Sequence, residues 1–383
     1  MAMNNFNLTP GTVNIRFGVG SLQELPELLA NLNLKKPFII TDSGVVASGI
    51  LDKVQNSLKK GGFSAGIFDG VKPNPTTNLI DQGAKAAHDF GADSIIALGG
   101  GSSLDSSKGI ALVAANPTYS SAQFNYTITP ERLALPIIAI PTTSGTGSET
   151  NNWGVIDDPA NHKKIYIGDA STTPVAAILD PELTVGLPSR PTAGTGIDAL
   201  THAIESLTSK GRTPVSAAYA HEAIKLISKS LPVAVADGKN LDARADMLMG
   251  AHLAGLALTL SGLGLVHGIA HSVSAHVGAA HGEALAAVLA EVMQFNSKNS
   301  KSAAEVYQSV AIDMNLSPNP DSAINAVRDL AESINIRFNL SSFGVTKELA
   351  PDIAKAVLVD SVTSNNPIIP SESQVLELIS SRI

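Results

Sequence analysis

The sequence predicts an α/β amino-terminal domain over residues 1–187, followed by an all-α carboxy-terminal domain over residues 188–383. Short β-type runs alternate with helical patterns in the first half, and strand-like runs become scarce after about Asp180. The stretch Gly186–Gly196 is rich in glycine and proline, and the domain junction is placed there. Because buried strands alternate with helices, the first domain is expected to hold a parallel sheet covered on both faces.

Each element of the first half is predicted from its local pattern. Thr12–Phe17 alternates like a strand, and compact apolar runs predict further strands. Segments whose apolar residues recur at helical spacing predict the helices between them. The further strands are Lys36–Thr41, Ala65–Phe68, Ser94–Leu98 and Pro136–Ile140, and the helices are Val45–Lys60 and Asn78–Phe90.

The second half shows helical periodicity and one unusual stretch. A predicted helical face is formed by Ala220, Ala223, Ile224, Ile227 and Leu231. Residues Met247–Gly282 contain no Asp, Glu, Lys or Arg, yet they carry five of the nine histidines. A lipid-facing helix would not carry so many polar rings, so a buried helical core around a polar site is predicted. These histidines are His252, His267, His271, His276 and His281.

Composition excludes several classes of protein. Apolar residues make up 44% of the 383 residues and charged residues 16%, which fits a well-buried globular protein. The net charge of −8 argues against binding to nucleic acid. The absence of Lys/Arg runs gives no indication of binding to a membrane surface. There is no cysteine, which excludes disulfides and thiolate metal sites. The first residues, MAMNNFNLTPG, lack a signal-peptide pattern, so a cytoplasmic location is expected.

The strongest phosphate-binding signal is the run Gly99, Gly100, Gly101 and Ser102, which lies between a predicted strand and a helical pattern. Glycines let backbone N–H groups approach an anion, and a helix N-terminus favours negative charge. The alternative is a tight turn without a ligand, since a glycine triplet is a weak signal and the GxGxxG fingerprint is absent.

Two more loops follow predicted strands. Asp42 ends an apolar strand, where a carboxylate can bind an adenosine ribose and repel a 2′-phosphate; a helix N-cap is the alternative. The loop PTTSGTGSE, from Pro141 to Glu149, offers small hydroxyl groups and room for a flat ring, with a plain polar loop as the alternative. Three such loops at the carboxyl ends of strands favour a nucleotide crevice.

Candidate metal ligands occur in the helical half. Asp198 and His202 are spaced i and i+4, as are His267 and His271, and His281 follows ten residues later. Residues four apart lie on one face of a helix, so both members of such a pair can bind the same ion. With no cysteine, an aspartate with imidazoles is a mixed oxygen and nitrogen set that suits Fe(II) or Zn(II). The alternative is a capping aspartate with ordinary core histidines.

These motifs together resemble the iron-containing, or group III, alcohol dehydrogenases, along nearly the whole chain and in the same order. No single motif is specific, but the combination is. The segments that carry the resemblance are FGVGSL near the N-terminus, PNPT at Pro73–Thr76, GGGSSLDSSK at Gly99–Lys108, PTTSGTGSE, DPELT at Asp180–Thr184, GIDALTHAIE, GLGLVHGIAH and the later His-Gly pair.

The resemblance implies a dinucleotide-binding domain, a helical metal-binding domain and an active cleft between them, the architecture also found in dehydroquinate synthase. It implies hydride transfer between NAD and a small primary alcohol or diol, or its aldehyde, in a homodimer or larger homo-oligomer. The implied divalent metal is Fe(II) or Zn(II). By motif position, the metal ligands are Asp198, His202, His267 and His281, and the dinucleotide contacts are Asp42, Asn74, Gly100, Gly101, Ser102, Thr142, Thr143 and Lys164.

His271 is expected to line the cleft near the nicotinamide as the catalytic proton relay, because imidazole titrates near neutral pH. A packing role is the alternative. The sequence departs from the family after His271 and at Thr150–Trp153, two segments that border the expected substrate pocket, so substrate preference is not implied. Rival interpretations are a polyol dehydrogenase, a metal-independent maleylacetate-type reductase, a dehydroquinate-synthase-type lyase and a non-catalytic NAD-binding protein; metal content and turnover discriminate among them.

Overall fold

The computed structural model describes residues 13–124, 128–161 and 163–383, with only the main chain for Lys163. The predicted strand start at Thr12 and the segment MAMNNFNLTPG lie outside these ranges. Contacts between Cα atoms divide the described chain into two compact units. The α/β unit contains residues 13–143 and 147–186, and the helical unit contains Leu187–Ile383 together with Ser144–Thr146.

The α/β unit alternates strands with helices, as the sequence predicts. Its strands are β1 (Asn14–Phe17), β2 (Pro37–Asp42), β3 (Gly66–Val71), β4 (Ser94–Gly99), β5 (Ile137–Pro141), β6 (Gly154–Asp158), β7 (Lys163–Ile167) and β8 (Ala176–Leu179). Its helices are α1 (Leu25–Asn31), α2 (Ser43–Ala47), α3 (Ile50–Lys60), α4 (Thr77–Phe90) and α5 (Gly101–Ala115).

Six of these strands form one parallel sheet, in the order β1-β8-β5-β4-β2-β3. Strands β4, β5 and β8 are buried throughout, and β2 is buried up to its last residue. Strands buried on both faces must be covered on both faces, which confirms the predicted kind of sheet. Because β5, β4 and β2 are neighbours and parallel, the loops after them meet at one edge of the sheet.

Two details of the α/β unit differ from the sequence-based prediction. The single helix predicted over Val45–Lys60 is two helices, because Gly49 takes a left-handed φ of +76° between α2 and α3. Strands β6 and β7 were not predicted; they pair with each other as an antiparallel hairpin outside the main sheet. Alternate residues of β6 are only partly buried, so the hairpin lacks the continuous apolar run that marks the central strands.

The helical unit follows, and with it the structure confirms the predicted fold class. The face predicted from Ala220 to Leu231 lies on one of its helices and is fully buried. The helices are α6 (Ser189–Thr208), α7 (Pro214–Ala236), α8 (Leu241–Ser261), α9 (Leu265–Val277), α10 (His281–Asn299), α11 (Lys301–Asp313), α12 (Pro320–Ser333), α13 (Ala350–Val359) and α14 (Glu372–Ser380).

The stretch Gly186–Gly196 is mostly helical, although glycine and proline suggested a junction. Helix α6 begins at Ser189, with Pro188 in the capping position before it and Pro191 in its first turn. Proline is tolerated there because first-turn N–H groups have no partner within the helix. The domain boundary between residues 187 and 188 stays a prediction.

The charge-free stretch lies mainly on α8 and α9, whose residues are largely buried. No single helix of the described ranges is both long and apolar enough to cross a bilayer. Helices α8 and α9 together would satisfy that test by length and composition, but they are bent by 101° at the break between them.

Candidate metal centre and cofactor site

Three helices bring the predicted metal ligands together. Asp198 and His202 lie one turn apart on α6 and are both buried. His267 is the third residue of α9, and His281 is the first residue of α10. Each imidazole therefore comes from a different place in the helical unit, and all three turn toward one carboxylate.

The distances among these side chains suit a shared ion. Oδ1 of Asp198 lies 3.2 Å from Nε2 of His202, 3.6 Å from Nε2 of His267 and 3.6 Å from Nε2 of His281. Two ligand atoms that each lie about 2.1 Å from one ion are about 3.0–3.4 Å apart in octahedral or tetrahedral geometry. The observed spacings are close to those values, and two of them are too long for hydrogen bonds.

Missing hydrogen-bond partners give an independent test of fit. Oδ1 of Asp198 and Nε2 of His267 are buried, and neither has a hydrogen-bond partner among the described residues. Buried polar atoms are normally satisfied, so a pair of unpaired atoms that face each other needs an explanation. Asp198, His267 and His281 also offer ligand atoms within 4.8 Å of one another; His202 is not in that group, and its place in the site rests on its 3.2 Å distance from Asp198. The residues present therefore fit a divalent cation.

The electrostatics keep three of the four candidate ligands in the protonation state that metal binding requires. Burial would raise the pKa of Asp198, but the neighbouring histidines outweigh burial and lower it, so the carboxylate stays ionised. Burial lowers the pKa values of His202 and His281, which leaves both rings neutral with a free lone pair. His267 differs: burial lowers its pKa, but Asp198 and Glu205 outweigh burial and raise the pKa to about 9, so a metal ion would have to displace a proton from this ring.

Glu205 is a member of this cluster that the sequence reasoning missed. Its Oε2 lies 2.6 Å from Nδ1 of His267, the ring nitrogen that faces away from Asp198. Glu205 lies three residues after His202 within the motif GIDALTHAIE, so the signal was its place on the same helix.

His271, the predicted proton relay, lies beside the ligands and has a carboxylate partner of its own. Its ring centroid is 5.7 Å from that of His267 and 5.5 Å from that of His281. Its Nδ1 lies 3.0 Å from Oδ2 of Asp360, which directly follows α13. Burial opposes ionisation of Asp360, but the hydrogen bond and charge of His271 outweigh it and lower the pKa of that carboxyl. The sequence offers no signal for this pair, because 89 residues separate the two.

The remaining histidines of the charge-free stretch lie apart from this pattern. His276 is exposed on α9, and its Nδ1 lies 2.7 Å from the Ser272 carbonyl of the same helix. His252 is buried on α8. Neither belongs to the group of ligand atoms around Asp198.

The position of His281 depends on a close approach between α6 and α10. A Cβ atom built on Gly282 would lie only 2.3 Å from the main-chain oxygen of Gly194, so the two helices touch through their backbones. Nearby, Nη2 of Arg190 donates to Oε2 of Glu283 at 2.9 Å and joins the first turns of the same two helices. The first residue of α10 is thereby fixed relative to Asp198 by main-chain contact.

In the α/β unit, Asp42 has the helix-capping role that the sequence offered as the alternative, and its role toward a cofactor stays a prediction. Its Oδ1 accepts from the N–H groups of Gly44 at 2.9 Å and Val45 at 3.1 Å, so it caps α2. Its Oδ2 accepts from the Ser103 hydroxyl at 3.0 Å, which places the carboxylate beside the glycine turn after β4.

The glycine turn and the PTTSGTGSE loop meet after neighbouring strands. The N–H of Thr142 donates to the Gly99 carbonyl at 2.9 Å, and a Cβ on Gly100 would lie 3.2 Å from the Thr143 side chain. Gly99 has a φ of +143°, which favours glycine. Helix α5 then begins at Gly101 without a side-chain cap, so its first N–H groups, those of Gly101 and Ser102 included, have no partner within the helix.

Asn74 and Lys164 form a second group in the same unit. Asn74 is exposed after β3 with a left-handed φ of +50°, and Lys164 lies on β7. Nζ of Lys164 is 2.8 Å from Oδ1 of Asp157, whose N–H donates to the Pro75 carbonyl at 2.8 Å. The β6–β7 hairpin thus joins the Asn74 loop.

Lys108 is the last residue of the motif GGGSSLDSSK, and the sequence did not indicate its role. In the structure it holds the end of the PTTSGTGSE loop and the residues that follow that loop. It is buried on α5, and its Nζ donates to Ser148 Oγ at 2.7 Å, Asn151 Oδ1 at 2.9 Å and the Trp153 carbonyl at 2.7 Å. Burial lowers its pKa to about 8, against the opposing charges of Asp105 and Glu149.

Comparison with known proteins agrees with this geometry. Residues 12–181 match the family model for iron-containing alcohol dehydrogenase, and residues 192–383 match the model for the carboxy-terminal domain of that family. An NAD-dependent methanol dehydrogenase of Bacillus methanolicus is 34% identical over 98% of this chain and 99% of its own. Lactaldehyde reductase of Escherichia coli K12 is 34% identical over 94% of this chain and 96% of its own.

Solved structures give the same result for the fold. The crystal structure of a 1,3-propanediol oxidoreductase superposes with a TM-score of 0.90 at 33% identity, covering 97% of this chain and 98% of its own. Sulfoacetaldehyde reductase from Bifidobacterium kashiwanohense, solved with NAD+, superposes with a TM-score of 0.90 at 30% identity, covering 100% and 99%.

Proposed function

The chain belongs to the iron-containing alcohol dehydrogenase family, whose members act on CH–OH groups, and we propose that it uses NAD and a divalent metal to interconvert a small primary alcohol or diol with its aldehyde. The observation that carries this proposal is the convergence of three imidazole Nε2 atoms on Oδ1 of Asp198. Such a set of ligands suits Fe(II) or Zn(II). Bound there, the ion supplies Lewis-acid polarisation of the substrate oxygen.

The chain's own residues would supply the rest of the reaction. The first N–H groups of α5, with Thr142 and Thr143, would bind the dinucleotide phosphates and ring, while Asp42 would accept from the adenosine ribose. Asn74 and Lys164 are assigned to the same cofactor by motif position. Two relatives support NAD: one named as NAD-dependent and one solved with NAD+.

We assign the proton transfer to His271. Because Nδ1 of His271 faces the Asp360 carboxylate, that nitrogen carries the hydrogen and Nε2 is left to exchange a proton with substrate or solvent. A ring held in one tautomer can take up and release the alcohol proton at a fixed place. The proposed assembly is a homodimer or larger homo-oligomer, as the family resemblance implies.

One experiment tests the proposal as a whole. The purified chain is analysed for metal content, stripped with a strong chelator and assayed with NAD and NADP against a panel of small alcohols, diols and aldehydes. We expect about one divalent ion per chain, NAD-linked turnover, and loss of turnover on stripping that returns with Fe(II) or Zn(II). Full activity without metal would instead favour a metal-independent reductase, and NAD binding without turnover would favour a non-catalytic role.

A further inference from the structure

The side chain of Glu205 makes three polar contacts, and all of them are with residues at the start of α9. Its Oε1 accepts from the N–H of Val266 at 2.6 Å. Its Oε2 accepts from the N–H of Gly264 at 3.0 Å and faces Nδ1 of His267 at 2.6 Å. The side chain of Glu205 is only 5% exposed, so water does not compete for these bonds.

These bonds replace the missing cap of α9. The capping residue of that helix is Gly264, which has no side chain to bond the first N–H groups. Unpaired N–H groups at a buried helix start are costly, and a negative charge there interacts well with the helix dipole. Glu205 supplies both the acceptors and the charge from another helix. A Cβ on Gly264 would lie 3.0 Å from Oε1 of Glu205, so glycine leaves the carboxylate room to approach.

The N–H group of Leu265, which lies between Gly264 and Val266, has a different buried acceptor. Oδ1 of Asn366 accepts from the N–H of Leu265 at 3.3 Å. Asn366 is held in turn by Asn296: each side-chain amide donates to the other's oxygen, at 2.8 and 3.1 Å. The start of α9 is therefore fixed by side chains from other elements, and His267 is the next residue along the helix.

The contact with His267 also determines which ring nitrogen can bind metal. An ionised carboxylate only accepts hydrogen bonds, so the hydrogen of the His267 ring lies on Nδ1. Nε2 is then the nitrogen from which a metal ion would displace the second proton, and it is the atom that faces Asp198 at 3.6 Å. Glu205 lies seven residues after Asp198 and three after His202, so one stripe of α6 presents two ligands and the support of a third.

We propose that Glu205 is a positioning residue that fixes the ring of His267, and the first turn of α9 that carries it, and thereby determines the affinity of the site for its metal. Glu205 does not contact the ion or the substrate. The inference rests on the proposed function, because it assumes that Asp198, His202, His267 and His281 hold a metal. Carboxylate partners of metal-bound histidines elsewhere contribute a 10- to 100-fold effect on metal affinity or activity.

The test measures zinc affinity separately from stability. Glu205→Gln keeps the size of the side chain but replaces one acceptor oxygen by an NH2 group, which cannot accept from Nδ1 of His267 or from the N–H groups of α9. Glu205→Asp keeps the charge at a shorter reach. Glu291→Gln is the matched control, because Glu291 is also a mostly buried carboxylate, 14% exposed, but pairs with Arg337 rather than with a histidine. Each full-length variant is stripped, and its Zn(II) dissociation constant is measured by competition with a chromophoric chelator; Tm is recorded with and without Zn(II).

We expect Glu205→Gln to raise the Zn(II) dissociation constant roughly 10- to 100-fold, with Glu205→Asp between it and the wild type. Glu291→Gln should lower the Tm of the metal-free protein while leaving the dissociation constant within about twofold of the wild type. An unchanged Zn(II) dissociation constant in Glu205→Gln would mean that Glu205 only caps α9. Equal losses of Zn(II) affinity in Glu205→Gln and Glu291→Gln would mean that the effect is general destabilisation. Either result overturns the proposal.

A second measurement covers the case in which Glu205→Gln does not fold. The ¹⁵N chemical shifts of histidine-labelled, zinc-loaded wild-type protein report the tautomer of each ring. We expect His267 to carry its hydrogen on Nδ1, and a hydrogen on Nε2 would overturn the inference. If the wild type binds neither Zn(II) nor Fe(II), the proposed function fails, which is a different outcome from normal binding in Glu205→Gln.

Discussion

Nδ1 of His271 lies 3.0 Å from Oδ2 of Asp360, while Oδ1 of the same carboxylate accepts from the N–H of Val362 at 3.1 Å. Asp360→Asn can keep the bond to Val362 but turns an amide hydrogen toward Nδ1, so the ring must change tautomer. We expect kcat to fall roughly 100-fold with metal content unchanged, because proton transfer by a positioned side chain contributes about 100-fold or more. Steady-state kinetics and elemental analysis check this.

His271→Ala should also keep its metal and lose rate, because it removes the ring to which we assign the proton transfer. If Asp360 acts only through His271, the double variant that combines Asp360→Asn with His271→Ala should be no slower than His271→Ala alone. A further loss in the double variant would give Asp360 a separate role.

His281 and His276 are five residues apart and chemically identical, so they make a matched pair for the metal site. His281→Ala should lose bound metal together with activity, because it removes an imidazole 3.6 Å from Oδ1 of Asp198. His276→Ala should keep both, since its ring bonds only to its own helix at the Ser272 carbonyl among the described residues. Metal content per chain is the measurement. Loss in His276→Ala and retention in His281→Ala would show that the motif alignment is shifted.

Asp42 should favour NAD over NADP, and two variants separate its charge from its capping role. Asp42→Asn keeps an oxygen for the N–H groups of Gly44 and Val45 but removes the charge, so NADP use should rise with little change in stability. Asp42→Gly removes both, and a few tenths of a kcal/mol of cap energy should be lost as well. The ratio of kcat/KM for the two cofactors and the Tm check this. Equal use of both cofactors by the wild type would contradict the placement of Asp42.

Lys108 should give the α/β unit a measurable dependence of stability on pH. Its pKa is about 8 in the folded chain and 10.5 for an ordinary lysine, so between these values the unfolded chain binds more protons. The free energy of unfolding should therefore rise with pH over this window. Lys108→Met lacks the effect, so the stability difference between the two proteins should grow from pH 8 to 10.5.

The same variant should be roughly 3 to 5 kcal/mol less stable at neutral pH, because it leaves buried acceptors without their donor. Denaturant unfolding at several pH values measures both effects, and titrating groups that do not interact with Lys108 cancel in the difference. A difference that stays flat across the window would mean that Lys108 keeps its proton throughout.

The sequence predicted the parts of the fold that depend on local pattern. Continuous apolar runs indicated β2, β4 and β5, because these strands are buried on both faces. Apolar residues at helical spacing indicated α7, because one face of that helix is buried. It did not predict the break at Gly49, where one residue changes φ, or the β6–β7 hairpin, whose residues are only partly buried.

The candidate site divides in the same way. Asp198, His202, His267 and His281 lie in motifs that can be read along the chain. The partners of two of the histidines cannot be read this way: Glu205 acts on α9 through space from 62 residues away, and Asp360 reaches His271 across 89. Sequence spacing indicates which residues can share a helix face, but only tertiary structure shows which carboxylate faces which ring.

The contact between Gly194 and Gly282 bears on which ions the site accepts. Because Gly282 has no Cβ atom, α10 touches the main chain of α6 at Gly194, and this contact helps to fix the distance between Asp198 and His281. The size of ion that fits would then depend in part on Gly282, which is not one of the candidate ligands. Redesign toward a larger cation would have to begin with the separation of those two helices, because exchanging the ligands themselves leaves that separation unchanged.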